Sequence, residues 1–166
     1  MKKTVAFLML IVLCFSMSSC YERHDGVSYK THNKPGISYK LPKDFKATNF
    51  GYGELEYSNG EGAYFFFSAF DEDELQQDQF MPADTTAQEY AQTCITVWGV
   101  DSEYVYNPQN NSATFDYYIE EDGEYYRHLV VRTSDEILLF TLSCYSEDVE
   151  EYDSIFNFVY DSIALM

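Results

Sequence analysis

The sequence predicts a single α+β domain: an antiparallel β-sheet covered by helices on both faces, carried behind an export leader. Three observations point there. Tyrosine and phenylalanine are abundant, 16 and 13 residues against one tryptophan, and such rings suit a half-buried pleated surface. Segments of alternating polarity dominate and meet at turn dipeptides such as Asn59-Gly60, Asp122-Gly123 and Ser134-Asp135. Two stretches repeat their apolar residues at helical spacing instead, one starting near Thr85 and one after Ser146.

The leader comes first. Lys2 and Lys3 open the chain, and Val5 to Phe15 follow without a polar residue. As a helix that run reaches about 17 Å, short of a bilayer core of about 30 Å. A basic start, a short apolar run and small residues after it make a secretory signal. Met17-Ser18-Ser19-Cys20 resembles the lipobox of bacterial lipoproteins, where small residues precede a cysteine that is diacylated and becomes the new N-terminus. Met17 stands where leucine is commonest. The resemblance implies a signal peptide over 1–19, lipidation of Cys20, and an extracytoplasmic chain anchored by lipid to a bacterial cell membrane or outer membrane. Each buried methylene of the acyl chains contributes about 0.8 kcal/mol, so a multiply acylated cysteine holds a soluble domain without a protein anchor.

Residues 20–36 read as a tether, without apolar periodicity and closed by Pro35-Gly36. Its histidines, His24 and His32, read as solvated. The globular domain then spans 37–166. Ile37 to Leu41 alternates as a first strand, and Lys43 to Gly53 is loop-like. Gly53 to Ser58 and Ala63 to Phe70 form a hairpin around Asn59-Gly60. Asp71-Glu72-Asp73-Glu74 is the densest acidic run. As a calcium loop starting at Asp71 it would need Gly sixth and Glu twelfth, where Gln76 and Pro82 stand, so it reads as a solvated loop. Thr86 with Glu89 makes a capping box, and Ala87, Tyr90, Ala91, Cys94, Ile95 and Trp98 share one helical stripe that Gly99 ends. Trp98 on that stripe reads as core.

A short strand over 103–106 precedes a three-strand meander: Ser112 to Glu120, Glu124 to Thr133 and Glu136 to Tyr145. Ser146 caps a final helix with the stripe Val149, Tyr152, Ile155, Phe156, Val159 and Ile163. With two-residue turns at Asp122-Gly123 and Ser134-Asp135, Tyr117, His128 and Thr141 fall side by side. Phe115, Val130 and Leu139 form the next row. The other face carries Leu129 beside Phe140 and Val131 beside Leu138. Both faces are apolar enough for a helix to cover each. Arg127 lies on the second face, diagonal to Asp116 and Glu120, as an ion pair.

The row Tyr117, His128 and Thr141 is the candidate ligand-binding site. Its plainer reading is a core histidine bonded to neighbouring hydroxyls. No carboxylate orients His128 and no activated Ser or Cys stands beside it in the pattern, so no catalytic role is expected. Cys94 and Cys144 remain in the domain once the leader and Cys20 are set aside. They either pair after export or stay two separate buried thiols. No Cys/His spacing suits a metal, and no cofactor is expected.

Charge excludes some partners. Ten basic residues face 28 acidic ones, a net charge of -18. Such a surface repels nucleic acid and suits cations or a basic protein partner. The basic residues are segregated: Arg23, Lys30, Lys34, Lys40, Lys43 and Lys46 precede Thr48, and beyond it only Arg127 and Arg132 follow. The basic segment would lie near anionic headgroups, with the acidic body outward.

The order strands, helix, four strands, helix, with the opening Ile37-Ser-Tyr-Lys-Leu-Pro42-Lys-Asp-Phe45, resembles a PsbP-like domain. That family includes small bacterial lipoproteins, a photosystem extrinsic subunit and a nuclear GTPase-binding protein. The resemblance covers 37–166. It implies an α/β/α sandwich around an antiparallel sheet and a binding or assembly role at the cell envelope. No family site residue carries over. The second reading is a small-ligand or cation-binding lipoprotein that uses the acidic loops or a pocket near His128.

Overall fold

A computed structural model describes residues 22–48, 55–77 and 79–166. The leader and Cys20 lie outside the described residues. In chain order the elements are β1 (Glu22–His24), β2 (Val27–Lys34), β3 (Ile37–Pro42), β4 (Lys46–Thr48), β5 (Leu55–Ser58), β6 (Tyr64–Asp71), α1 (Glu72–Gln77) and α2 (Ala87–Trp98). There follow β7 (Tyr104–Asn107), β8 (Ser112–Ile119), β9 (Glu124–Arg132), β10 (Glu136–Tyr145), a 3-10 turn, α3 (Val149–Asp161) and β11 (Ala164–Leu165). Seven strands form one antiparallel sheet in the order β4-β5-β6-β10-β9-β8-β7. Four form a second, β1-β2-β3-β11.

β10 pairs with β6 on one side and β9 on the other. Its alternate residues feed two core clusters. Leu138, Phe140 and Leu142 join Tyr39 and Leu41 of β3, Phe65 of β6, and Phe156 and Val159 of α3. Ile137 joins Ala113 and Phe115 of β8, Val130 of β9, and Tyr90, Ala91 and Ile95 of α2. Burying each large apolar side chain is worth about 1.5–3 kcal/mol.

The helices are fixed as their sequences dictate. Thr86 accepts the Glu89 amide and Glu89 accepts the Thr86 amide, a reciprocal N-cap for α2. Gly99 ends that helix in the left-handed region at φ 67°. The acidic run expected as a loop is instead the start of α1. Asp71 Oδ1 accepts from the Glu74 amide at 2.9 Å, and Glu74 Oε2 accepts from the Asp71 amide at 3.0 Å. Three acidic residues fill the first turn, where the helix dipole favours them, and Leu75 anchors the helix in the core.

The segment expected as a tether is folded as well. β1 and β2 join through Asp25-Gly26, with both residues at positive φ, 47° and 83°. That is the two-residue hairpin geometry that Asp-Gly favours. β2 then pairs with β3 across Pro35-Gly36, and Tyr29 is buried in the core. Two very short strands also escape prediction: β4, inside the expected loop, and β11, which pairs with β3.

The β9–β10 register is as expected, with His128 opposite Thr141, Leu129 opposite Phe140, Val130 opposite Leu139 and Val131 opposite Leu138. The β8–β9 register is shifted by two. Ile119 pairs with Glu124, leaving Glu120 to Gly123 as a four-residue loop, and Phe115 rather than Tyr117 faces His128. The expected register would set Glu121 opposite Glu124; the observed one sets Asp116 opposite Arg127. Like charges directly opposite destabilise a pair of strands and opposite charges stabilise it. A shift of two keeps every side chain on its expected face. Ser146 does not cap α3. Its amide and hydroxyl both donate to the Gly123 carbonyl at 2.8 Å, tying that loop to the end of β10.

The β5–β6 connection runs past Asn59-Gly60, closed by the Asn59 amide on the Ala63 carbonyl at 3.2 Å. Asn59 Oδ1 accepts from the Glu61 and Ala63 amides, and its Nδ2 donates to the Tyr152 hydroxyl. Gly60 and Gly62 both hold positive φ, 78° and 97°. A Cβ on Gly62 would strike the Tyr145 ring, whereas one on Gly60 meets open space. Gly60→Ala is therefore expected to lower stability by about 1 kcal/mol and Gly62→Ala by more. Tyr145→Ala should recover only the Gly62 excess in a double-mutant cycle read by urea unfolding. Equal losses at the two glycines would contradict this packing.

Candidate functional site

His128 sits near the middle of β9 and is 3% exposed. Strand pairing sets Thr141 of β10 on one side of it and Phe115 of β8 on the other. Its Nδ1 lies 2.9 Å from Thr141 Oγ1. Rings close over the rest. Phe115, Tyr117 and Tyr126 stack nearly parallel to the imidazole at centroid distances of 4.6, 5.4 and 6.3 Å. Trp98, the last residue of α2, lies tilted at 5.2 Å.

Burial pulls the His128 pKa down to about 3, because nothing nearby compensates the lost hydration of the cation. The ring is neutral near neutral pH and offers one donor and one acceptor. Thr141 takes Nδ1, and Nε2 is buried without a hydrogen-bond partner among the described residues. Leaving a buried polar atom unpaired costs about 1–3 kcal/mol. Chemically this is a neutral imidazole in an aromatic niche, with one polar contact filled and one open.

All three expected site residues meet here, though not in one row. Thr141 is the direct neighbour, while Tyr117 is a diagonal one that the register shift leaves in ring contact. Trp98, expected in the core, is 43% exposed and forms the outer wall. Phe115 and Tyr126 were not expected at the site. Tyr126 lies two residues from His128 on the same strand, which puts both on one face. The Tyr126 hydroxyl donates to the Glu124 carboxylate.

The other residues singled out fall elsewhere. Arg127 Nη2 donates to Asp153 at 2.8 Å and Nη1 to Asn157 at 3.0 Å. Its Nε donates to the Tyr125 hydroxyl at 3.0 Å, and that hydroxyl donates to Asp116 at 2.7 Å. Residues of α3 thus take the place expected for Glu120, and the network clamps α3 to β9. The histidines of the expected tether are held by rings: His24 stacks on Phe158 at 4.5 Å, and His32 lies 5.5 Å from Tyr39 and 4.9 Å from Tyr57. Cys94 and Cys144 are free and buried. They lie in different core clusters. Burial pushes their thiols up to about 12 and about 11 respectively. A hollow of about 690 Å³ opens between the two sheets at the Pro35-Gly36 and Ser134-Asp135 turns, walled by Ile37, Phe67, Leu138 and Leu165. It shares no residue with the His128 niche.

The fold and its two clusters define an antiparallel α+β domain of PsbP-like fold. The chain is similar to the solution structure of cyanobacterial PsbP (CyanoP) from Synechocystis sp. PCC 6803, at 14% identity and a TM-score of 0.57, over 91% of this chain and 99% of that one. It is also similar to a crystal structure from Bacteroides thetaiotaomicron VPI-5482 at 13% identity and a TM-score of 0.52. That match covers 79% of this chain and 45% of the other. No family model and no curated protein matches the sequence.

The niche has a pH signature. The His128 pKa is lowered on folding, so its contribution to stability is complete above about pH 6.5, its unfolded value, and is lost as pH falls toward about 3. Between pH 6.5 and pH 5 this one proton removes about 2 kcal/mol. Urea unfolding at the two pH values should show wild type losing about that much more stability than His128→Phe. Parallel losses in the two proteins would mean that the histidine is solvated.

Proposed function

We propose that this chain is a membrane-anchored, extracytoplasmic lipoprotein, a non-catalytic binding or assembly module of a bacterial cell envelope, held through lipidated Cys20. The observation that carries the reading is the distance from anchor to fold. Tyr21 alone separates Cys20 from Glu22, the first residue of β1. The lipid would then lead directly into the small sheet, with its basic residues, rather than into a free tether. Among the described residues no helix is long and apolar enough to cross a membrane, and acylation would supply the attachment.

The layered architecture fits a module of this kind. The two core clusters support an α/β/α reading, with α2 over one face of the seven-stranded sheet and α3, beside the small sheet, over the other. The non-catalytic reading draws on His128, a neutral ring enclosed by aromatics and bonded to a hydroxyl, which suits packing better than proton transfer at neutral pH.

A second reading, a small-ligand site at the niche, is favoured by one observation: the unpartnered Nε2 of His128 beside the half-exposed Trp98. The cation-binding variant has less behind it. The acidic run is used to start α1, and among the described residues no cluster of three or more His, Cys, Asp or Glu is placed to hold a metal ion.

Acylation is tested directly. In bacteria fed an alkyne fatty acid, the wild-type chain should carry the label and Cys20→Ser should not. An unlabelled wild-type chain, or equal labelling of the two, would overturn the anchored reading.

A further inference from the structure

The small sheet sorts its charges by face. In an antiparallel pair, residues directly opposite point to the same side, as do residues two apart on one strand. Arg23 pairs with Ser28, so Arg23, Ser28, Lys30, His32 and Lys34 share one face. Lys43 joins the same end, its amide donating to the Ser28 carbonyl at 2.9 Å. On β3 this face carries Ile37, Tyr39 and Leu41, which are buried in the core. On β1 and β2 it overhangs, and Arg23 and Lys30 are exposed. Burial, then the charges of Lys30 and Lys34, pulls the His32 pKa below its ordinary value, consistent with both lysines flanking that ring.

The acidic residues of the segment lean to the other face. Glu22 is opposite Tyr29 and pairs with Lys40, whose strand partner is Thr31. Burial, then the charges of Asp25 and Asp44, pushes the Tyr29 phenol up to about 12. The second face thus holds more acid than base, while the first keeps Arg23, Lys30, Lys34 and Lys43 without an ion pair among the described residues. The rest of the molecule is strongly acidic, so this row is a local reversal of sign.

From this we infer that the overhanging β1–β2 edge, with Arg23, Lys30 and Lys43, is a docking edge for anionic phospholipid headgroups, which sets that edge of the small sheet against the membrane that holds Cys20. The inference rests on the anchored reading above. Charge complementarity and position select the occupant. Arg23 stands three residues after Cys20, so a lipid-anchored chain brings this face to the headgroup layer first. Each basic residue near an anionic surface is worth about fivefold in binding.

The test uses the full lipidated chain reconstituted into vesicles. Ser28→Cys carries a fluorophore at the centre of the row, and Val97→Cys on α2 carries it in a control. Both proteins should float with vesicles of pure phosphatidylcholine and with vesicles containing phosphatidylglycerol. A headgroup-borne quencher should dim the Ser28 probe on the anionic vesicles alone, and high salt should restore it. Arg23→Glu with Lys30→Glu should abolish the quenching without lowering the thermal midpoint, since both residues are exposed. The Val97 probe should stay bright throughout. A Ser28 probe that stays bright on anionic vesicles while the protein floats with them would overturn the lipid face but leave the anchor intact. Quenching indifferent to lipid charge and salt would also overturn it. Protein that fails to float on either vesicle would overturn the anchored reading itself.

Discussion

Everything in this fold depends on burying both faces of β10. Seven of its ten residues are buried, and neighbours along the strand point into different cores. That is costly for an antiparallel strand unless both faces are covered, because an exposed apolar face forfeits its transfer free energy. Phe115, Val130 and Ile137 share one cluster with residues of α2, and Phe140 and Leu142 share the other with residues of α3 and the small sheet. The Arg127 network then fixes α3 to β9 by directional bonds where apolar contact alone would let it slide.

What was legible in the sequence followed from signals contained in one stretch of chain. The box Thr86/Glu89 and the stop at Gly99 define α2 without reference to any other element. The pair His128/Thr141 follows from a two-residue turn and the period of a strand. The shift of Tyr117 did not, because it depends on a competition between registers that differ by two residues and present the same faces. The two registers differ in cross-strand charges, Asp116 on Arg127 against Glu121 on Glu124. β1 and β2 were missed for a different reason. Their side chains are mostly polar, and their partner β3 supplies the burial. Asp25-Gly26, a hairpin dipeptide, was the signal available there. Likewise, Asp71 with Glu74 has the spacing of a capping pair, a signal that the density of charge in the run masks.

The same physics shapes the site. A histidine stripped of water stays neutral and needs a partner for each nitrogen; Thr141 supplies one. Four aromatic residues supply the walls, and one buried ring nitrogen is left without a hydrogen-bond partner among the described residues. Charge is organised on a larger scale. The acidic body and the basic residues of β1–β2 give the molecule regions of opposite sign.

The most direct measurement of the central claim is native-state hydrogen exchange along β10. Amides from Leu138 to Leu142 are held in a strand paired on both sides and buried on both faces, so they should exchange last, through global unfolding alone. Their exchange free energies should equal the unfolding free energy from denaturant. If amides of α2 or of the small sheet outlast them, the core is not organised on β10 and the account fails.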